Sequence, residues 1–416
     1  MTKKSEKLLI IGAGIGQEPL LKKAQAKGLH VTVATIPGNY PCIKKADDVI
    51  FMDIYNRDGL VEEAKKRGIT AVISDQNDLM NPTVAYLAEK LGLPGNKFAT
   101  VLTYCNKNLF RECCAKAQVP TPKHVAVNDL NFDFKNFNCP LPWIVKPADS
   151  QSSIGVKRID SLEELPKALQ FALEKSPTRS AIIEEFFFGR EIVCEGFIND
   201  GKYYLLQFAD RKYFDLKDFL IPSQTLFPST LEKNLQEEII ACEQKLAKQT
   251  KPAFAIVHSE YLVNEKTKEI RIVESALRGG GVYISSDLIP LATEIDINEV
   301  LLQKALGENI DVEAIFRKRE DKASAYVCFY LPDGVIKSIT GKAELQNLPF
   351  VYKTFLDDLE VGNKSEKLTY KGARKGPILV TGNNRPELEA NIKKVQATLK
   401  IEVAIPDGKT KGIIWE

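Results

Sequence analysis

A chain of 416 residues is longer than one hydrophobic core fills, so several domains are expected. Hydrophobic residues at 44% and charged residues at 27% are the proportions of a soluble globular enzyme. A net charge of +2, with no Lys/Arg block free of interspersed acids, argues against nucleic acid as the main partner. No apolar run approaches the roughly 18 residues of a membrane helix. The basic start MTKKSEK leads into a strand-sized run rather than a secretory signal, so a cytoplasmic protein with no membrane partner is expected.

The first hundred residues alternate strand and helix. LLIIG (8–12), HVTVAT (30–35), DVIFMD (48–53) and TAVISD (70–75) read as strands. Helices at 18–28 and 58–68 stop at glycine, and a third covers 81–92. This alternation predicts a parallel sheet covered on both faces. A helical stretch from Phe98 to Gln118 follows. From Leu141 to Ala276 strand-like runs dominate, interrupted by helices near 162–174 and 231–249, which reads as α+β on a largely antiparallel sheet. Beyond Glu308 comes a smaller mixed segment, with a hairpin signal at LPDGVI (331–336) and a helix at 386–399. The expected division is 1–95, 96–180, 181–307 and 308–416. Eight scattered cysteines without a CxxC pair read as small core residues in a reducing compartment, and three histidines argue against a multi-histidine zinc site.

GAGIGQ (12–17) has the placing of a dinucleotide fingerprint, but Gln17 occupies the third glycine position and the second strand ends without a ribose-binding acid. It reads as a tight strand-to-helix turn or as part of a substrate pocket. AFAIVHSEYLV (253–263) and EIRIVES (269–275) form a hairpin. A turn centred on Thr267 sets Glu260 opposite Glu274, with Cβ atoms roughly 4.5–5.5 Å apart. Carboxylates that close repel unless a cation intervenes, and oxygen-only ligands suit magnesium beside phosphate. Alternation puts Glu274, Ala276 and Arg278 on one side, and Gly279–Gly280–Gly281 lets backbone approach a ligand closely. A solvated hairpin is the competing reading, but Phe254, Ile256 and His258 share the Glu260 face. WIVKPADSQSSIGV (143–156) sets Lys146 at a strand end before a loop whose Ser152, Ser153 and Gly155 offer backbone N–H groups to phosphate, or simply close a hairpin. IIEEFFFGREIVCEG (182–196) carries Glu184, Glu185 and Glu191 around an apolar run, which suits an adenine connector or an edge strand.

Taken in order, these segments resemble the ATP-grasp superfamily from about Lys7 to Leu306, and the HSE…E…R pattern and the tail look most like its L-amino-acid ligase branch. The resemblance implies an N-terminal parallel α/β domain, an ATP-grasp fold and a small C-terminal α+β domain. By this resemblance Lys107 and Lys146 touch ATP phosphates, Glu185 and Phe187 meet adenine through backbone groups, and Glu191 binds the ribose. Glu260 and Glu274 hold Mg2+, for which Mn2+ substitutes, and Arg278 steadies an acyl phosphate. Arg211, His258 and Gly280 are assigned to the substrate, within a stretch 208–230 expected to line the acceptor site. Where the family often has a metal-contacting Asn, this chain has Ala276. The implied activity is ATP-dependent ligation of a small carboxylate to an amine. A bicarbonate-activating carboxylase and a non-catalytic nucleotide-binding regulator are the alternatives, and a homodimer is one assembly expected.

Overall fold

Leu8 and Ile10 face one apolar cluster while Leu9 and Ile11 face another, so the first strand is buried on both sides. The computed structural model describes residues 6–130, 137–150, 154–216, 220–281, 283–369 and 371–416. Strands β1 (Lys7–Ile11), β2 (His30–Thr35), β3 (Asp48–Phe51) and β4 (Ala71–Ile73) form a parallel sheet in the order β3-β2-β1-β4. Helix α1 (Glu18–Ala26) packs in the first cluster, and α2 (Arg57–Arg67) and α3 (Asn81–Leu91) pack in the second. Gly68 closes α2 at φ 64°, the left-handed geometry that glycine adopts without penalty.

The helical stretch expected over 98–118 is two helices, α4 (Phe98–Cys105) and α5 (Lys107–Ala117). Asn106 breaks them: its backbone is extended, and its side chain accepts from the N–H groups of Asn108 and Leu109. A side-chain cap of this kind competes with continuing the helix, and it puts Lys107 in the first turn of α5.

Strands β5 (His124–Val127), β6 (Trp143–Pro147), β7 (Lys157–Ile159) and β8 (Ala181–Glu185) make an antiparallel sheet in the order β5-β8-β6-β7, with α6 (Leu165–Lys175) packed on it. Then follow β9 (Arg190–Asn199), β10 (Lys202–Tyr213), β11 (Pro222–Phe227), α7 (Lys233–Thr250), β12 (Phe254–Asn264) and β13 (Glu269–Ala276). Short helices α8 (Ile289–Thr293), α9 (Ile297–Ala305) and α10 (Val312–Phe316) lead to β14 (Ala323–Phe329), β15 (Gly334–Thr340), α11 (Lys342–Gln346), β16 (Val351–Thr354), β17 (Lys364–Ser365), β18 (Lys375–Gly382), α12 (Arg385–Thr398), β19 (Lys400–Ala404) and β20 (Thr410–Lys411).

The large sheet is antiparallel, in the order β13-β12-β9-β10-β11-β14-β18-β16. It runs across position 308, because β14 pairs with β11. The LPDGVI turn corrects one expectation: β14 and β15 flank it but do not pair, since β14 joins this sheet and β15 joins a second one, β17-β15-β19-β20. No described helix is long and apolar enough to cross a membrane.

Helix α7 lies behind the β12–β13 hairpin and places Glu243 in the apolar cluster formed by Ile239, Cys242, Val257 and Val263. Its carboxyl accepts from Tyr261 Oη at 2.6 Å. Burial raises the Glu243 pKa to about 7, against lowering by the bonds to Tyr261 and Ser259. A raised folded value means that the protonated acid stabilises the fold fully below the ordinary 4.5, and that this contribution is lost as pH rises through about 7. Glu243→Gln, which keeps the neutral hydrogen-bonding group, is expected to remove this pH dependence. Between about pH 5 and pH 8 the parent should lose stability relative to the variant by up to roughly 3 kcal/mol. Parallel melting curves over that range in thermal denaturation check it, and a constant difference would overturn it.

Candidate active site

The turn of the β12–β13 hairpin closes at Asn264↔Glu269, half a residue before a Thr267-centred loop, and on that register alone Glu260 would miss Glu274. Val273 is an extra residue, a bulge between Tyr261↔Ile272 and Glu260↔Glu274, and it restores the facing pair. The bulged carbonyl accepts from Arg111 at 2.7 Å. Arg111 comes from α5, one turn after Lys107, and its residue is only 1% exposed.

The two facing carboxylates have cations on either side. Arg211 donates to both Glu260 and Glu191, at 2.6 Å to the latter. Tyr213 donates to the other oxygen of Glu191. Lys107 Nζ lies 3.6 Å from Glu274 and donates to the Ser150 carbonyl at 2.9 Å. Deeper in, Lys146 at the end of β6 reaches one oxygen of Glu184 at 2.7 Å and Arg111 reaches the other at 2.8 Å. Burial pushes the Glu184 carboxyl up, but Arg111 and Lys146 outweigh it and hold it at about 2. The same burial, more than Glu184 offsets, lowers the Lys146 pKa, and Arg111 and Lys107 add to the lowering.

Apart from Arg111, which lies behind it, these side chains line one cavity of about 480 Å3, which also takes in the Glu185–Glu191 connector. The Glu185 N–H bonds the Lys123 carbonyl at 2.9 Å, and its carboxylate accepts from the Lys123 N–H at 3.0 Å. The Phe187 ring lies under the Arg271 guanidinium at 4.9 Å. Gly155 has φ +79°, and a Cβ there would meet Pro147 Cγ at 2.6 Å, so it seats its loop on the strand end that carries Lys146. Ser152 and Ser153 lie outside the described residues.

On the same face of the hairpin, two residues before Glu260, His258 pairs with Ala276 across the strands. Its Nδ1 bonds Glu195, and its Nε2 is 3.4 Å from Glu260. Gly280 N–H approaches Glu195 at 3.4 Å, and a Cβ at Gly280 would come within 2.5 Å of that carboxylate. Arg278 is held by Asp78 through two bonds of 2.8 and 2.9 Å. The GAGIGQ loop closes on itself: Gln17 accepts from Gly14 N–H at 3.1 Å and donates to the Asp75 carbonyl at 2.7 Å. The residue in the place of the third glycine thus cross-links the turn.

Sequence reasoning missed Arg111, Glu195, Asp75 and Asp78. Two signals pointed to the first pair: Arg111 follows Lys107 by four residues on one helix face, and Glu195 follows Glu191 by four on one strand face.

The donor set fits a divalent cation carrying a polyphosphate. Among the described residues no group of three or more His, Cys, Asp or Glu side chains is poised to hold a metal, so the protein offers two carboxylates and leaves the remaining positions to phosphate and water. Nη1 of Arg111 and Nε of Arg211 are buried and have no hydrogen-bond partner among the described residues.

The model of the ATP-grasp domain matches residues 139–286, and that of the L-amino acid ligase C-terminal domain 2 matches 327–404. The D-alanine–D-alanine ligase of Hydrogenovibrio crunogenus is 26% identical over 132 residues, 32% of this chain; the chain spans 38% of that protein's length. The crystal structure of the L-amino acid ligase from Bacillus licheniformis superposes with a TM-score of 0.80 at 20% identity, over 96% of this chain and 99% of that one. The biotin carboxylase domain of the Hydrogenobacter thermophilus 2-oxoglutarate carboxylase, solved with MgADP, ADP and bicarbonate, gives 0.72 at 15% identity, over 99% and 92%. At these identities the two structures establish the fold. The chain carries an ATP-grasp domain followed by an L-amino acid ligase C-terminal domain 2.

Proposed function

We propose that this chain is an ATP-dependent carboxylate–amine ligase of the cytoplasm, acting on small molecules. The observation that carries the reading is the pairing of Glu260 with Glu274 in the lining of a cavity that Lys107, Lys146 and Arg211 also line. The C-terminal match to an L-amino acid ligase domain favours an amino acid among the substrates.

In this reading the carboxylate substrate forms a bond to the γ-phosphorus of ATP while the bond from that phosphorus to the β–γ bridging oxygen breaks, and ADP leaves. The amine nitrogen then bonds the acyl carbon, the carbon–phosphate bond breaks, and the amine proton is released with inorganic phosphate. Positioning and electrostatics do this work, and no side-chain nucleophile is needed. Lys107 and Lys146 bind phosphate oxygens with the loop at Ser152, Ser153 and Gly155. Glu191 takes the ribose hydroxyls, and Glu185 and Phe187 flank adenine. Glu260 and Glu274 would hold Mg2+ or Mn2+, and the ion would supply Lewis-acid neutralisation of the phosphate charge. Glu184, with both oxygens engaged by cations, acts by orienting Lys146. Arg211, bonded to Glu191 and Glu260, belongs to the nucleotide side rather than the acceptor side. His258, Gly280 and Arg278 face the acyl group. Ala276, paired with His258 across the strands, offers no side-chain ligand where the family often has Asn.

Glu274→Gln is expected to leave the melting temperature near that of the parent and to abolish ADP release. Retention of more than about a tenth of the rate, roughly 1.4 kcal/mol of barrier, would remove Glu274 from the metal site. Activity is read as ADP release over a panel of carboxylates and amines.

Lys146→Met removes a phosphate contact while Arg111 still neutralises Glu184, so the fold should persist. ATP affinity, titrated calorimetrically with magnesium, should fall at least about tenfold, in line with loss of a charge-assisted bond of roughly 1.5–3 kcal/mol. An unchanged affinity would return the segment to an ordinary hairpin loop.

A further inference from the structure

The loop after β4 makes three side-chain attachments to the segment that follows β13. Asp75, fully buried, accepts from the Gly279 N–H at 2.7 Å and from Ser285 Oγ at 2.7 Å. Asn81 donates to the Leu277 carbonyl at 3.0 Å. Asp78 takes Nε and one terminal nitrogen of Arg278 side-on. Gly279 is required by this approach, since a Cβ there would fall 2.9 Å from Asp75 and 2.2 Å from Ser285. The polypeptide has travelled about two hundred residues between these partners, so local sequence does not impose the contact.

The consequence lies in the donor count of the guanidinium. Arginine carries five N–H groups. In Arg278, two are taken by Asp78 and one by the Gly279 carbonyl at 3.1 Å. The hydrogens that remain belong to the two terminal nitrogens, a fork matched to two oxygens of a phosphate or acyl phosphate. A free arginine side chain samples many rotamers, and fixing it before the substrate arrives removes that ordering from the reaction barrier.

We propose that Asp78 is a positioning residue: it holds Arg278 side-on so that the free end of the guanidinium meets the transferring phosphoryl group. The role rests on the ligase reading of Arg278. It also gives the N-terminal α/β unit a part in the chemistry of a site built mainly from the large sheet. Asp78 keeps its charge for this, because burial raises its pKa less than Arg278, His258 and Lys107 together lower it.

The test compares Asp78→Asn, Arg278→Lys and the double variant in the full chain, by steady-state ADP release and by melting temperature. Asn retains the shape but cannot accept both N–H groups. The expected result is a fall in kcat of at least about tenfold for each single variant, with KM for ATP within about twofold of the parent. The double variant should be no slower than the slower single one, because both changes remove the same device. A purely structural role would lower the melting temperature and leave the kcat of the folded fraction unchanged. If Asp78→Asn melts too low to assay, Asp78→Ser, which frees the same guanidinium edge, replaces it. If Arg278→Lys slows turnover while the Asp78 variant stays within about twofold of the parent, or if the two effects multiply, the proposal is overturned and the ligase reading stands. If Arg278→Lys leaves turnover unchanged, the reading of Arg278 falls and the proposal falls with it.

Discussion

A carboxylate removed from water must find a cation or give up its charge, and this constraint organises the site face of the large sheet. Glu184, Glu191, Glu260 and Glu274 are each matched by an arginine or lysine from another element: Arg111 and Lys107 from α5, Lys146 from β6, Arg211 from β10. None of these elements neighbours the hairpin in sequence. Their convergence is a condition for the fold to tolerate so many acids in one cavity, and the same cations are the natural partners of a polyphosphate. Stability and anion recognition therefore draw on the same side chains.

What the sequence made legible was whatever local periodicity controls. The βα alternation of the first hundred residues, the glycine stop at Gly68 and the facing of Glu260 and Glu274 all follow from periods of 3.6 and 2. The facing pair was reached through a simple symmetric turn, whereas the chain uses an earlier turn and a bulge at Val273 that Arg111 fastens. Long-range approach is what periodicity does not encode. Asn106 reads as one more polar residue in a helical stretch until α5 turns away from α4. Asp75 reads as the polar end of a strand and Asp78 falls between that strand and the next helix, and the return of residues 277–285 brings both their partners. The proline–aspartate–glycine run at 332–334 reads as a hairpin signal, but the strands that flank it pair elsewhere, β14 with β11 and β18 and β15 with β17 and β19.

The segment after Arg278 is gripped from two sides. The β4 loop holds Gly279 and Ser285, while Tyr283, itself at φ 63°, stacks on Phe355 just beyond β16 with ring centroids 4.1 Å apart. Lys353 lies over both rings, at 5.6 and 5.2 Å. Positive φ at a tyrosine is unfavourable by itself and persists where surrounding contacts over-determine it. A π-helical turn, Ile284–Leu288, begins immediately afterwards, an irregularity often found beside working sites. The first and last parts of the chain thus set the backbone of a loop that lies between them in sequence.

Strand β11 is buried along its whole length, with β10 on one edge and β14 on the other. Arg385 at the start of α12 reaches Asp210 and the Pro228 carbonyl, and Arg374 reaches the Pro222 carbonyl. Severing the polypeptide near 308 would therefore not release a tidy catalytic half. It would bare the edge of β11 along Gln224, Thr225, Leu226 and Phe227, which pair with β14, and would take Arg385 from Asp210 while Arg190 stays. Exchange beyond β18 would instead keep every strand pairing of the large sheet.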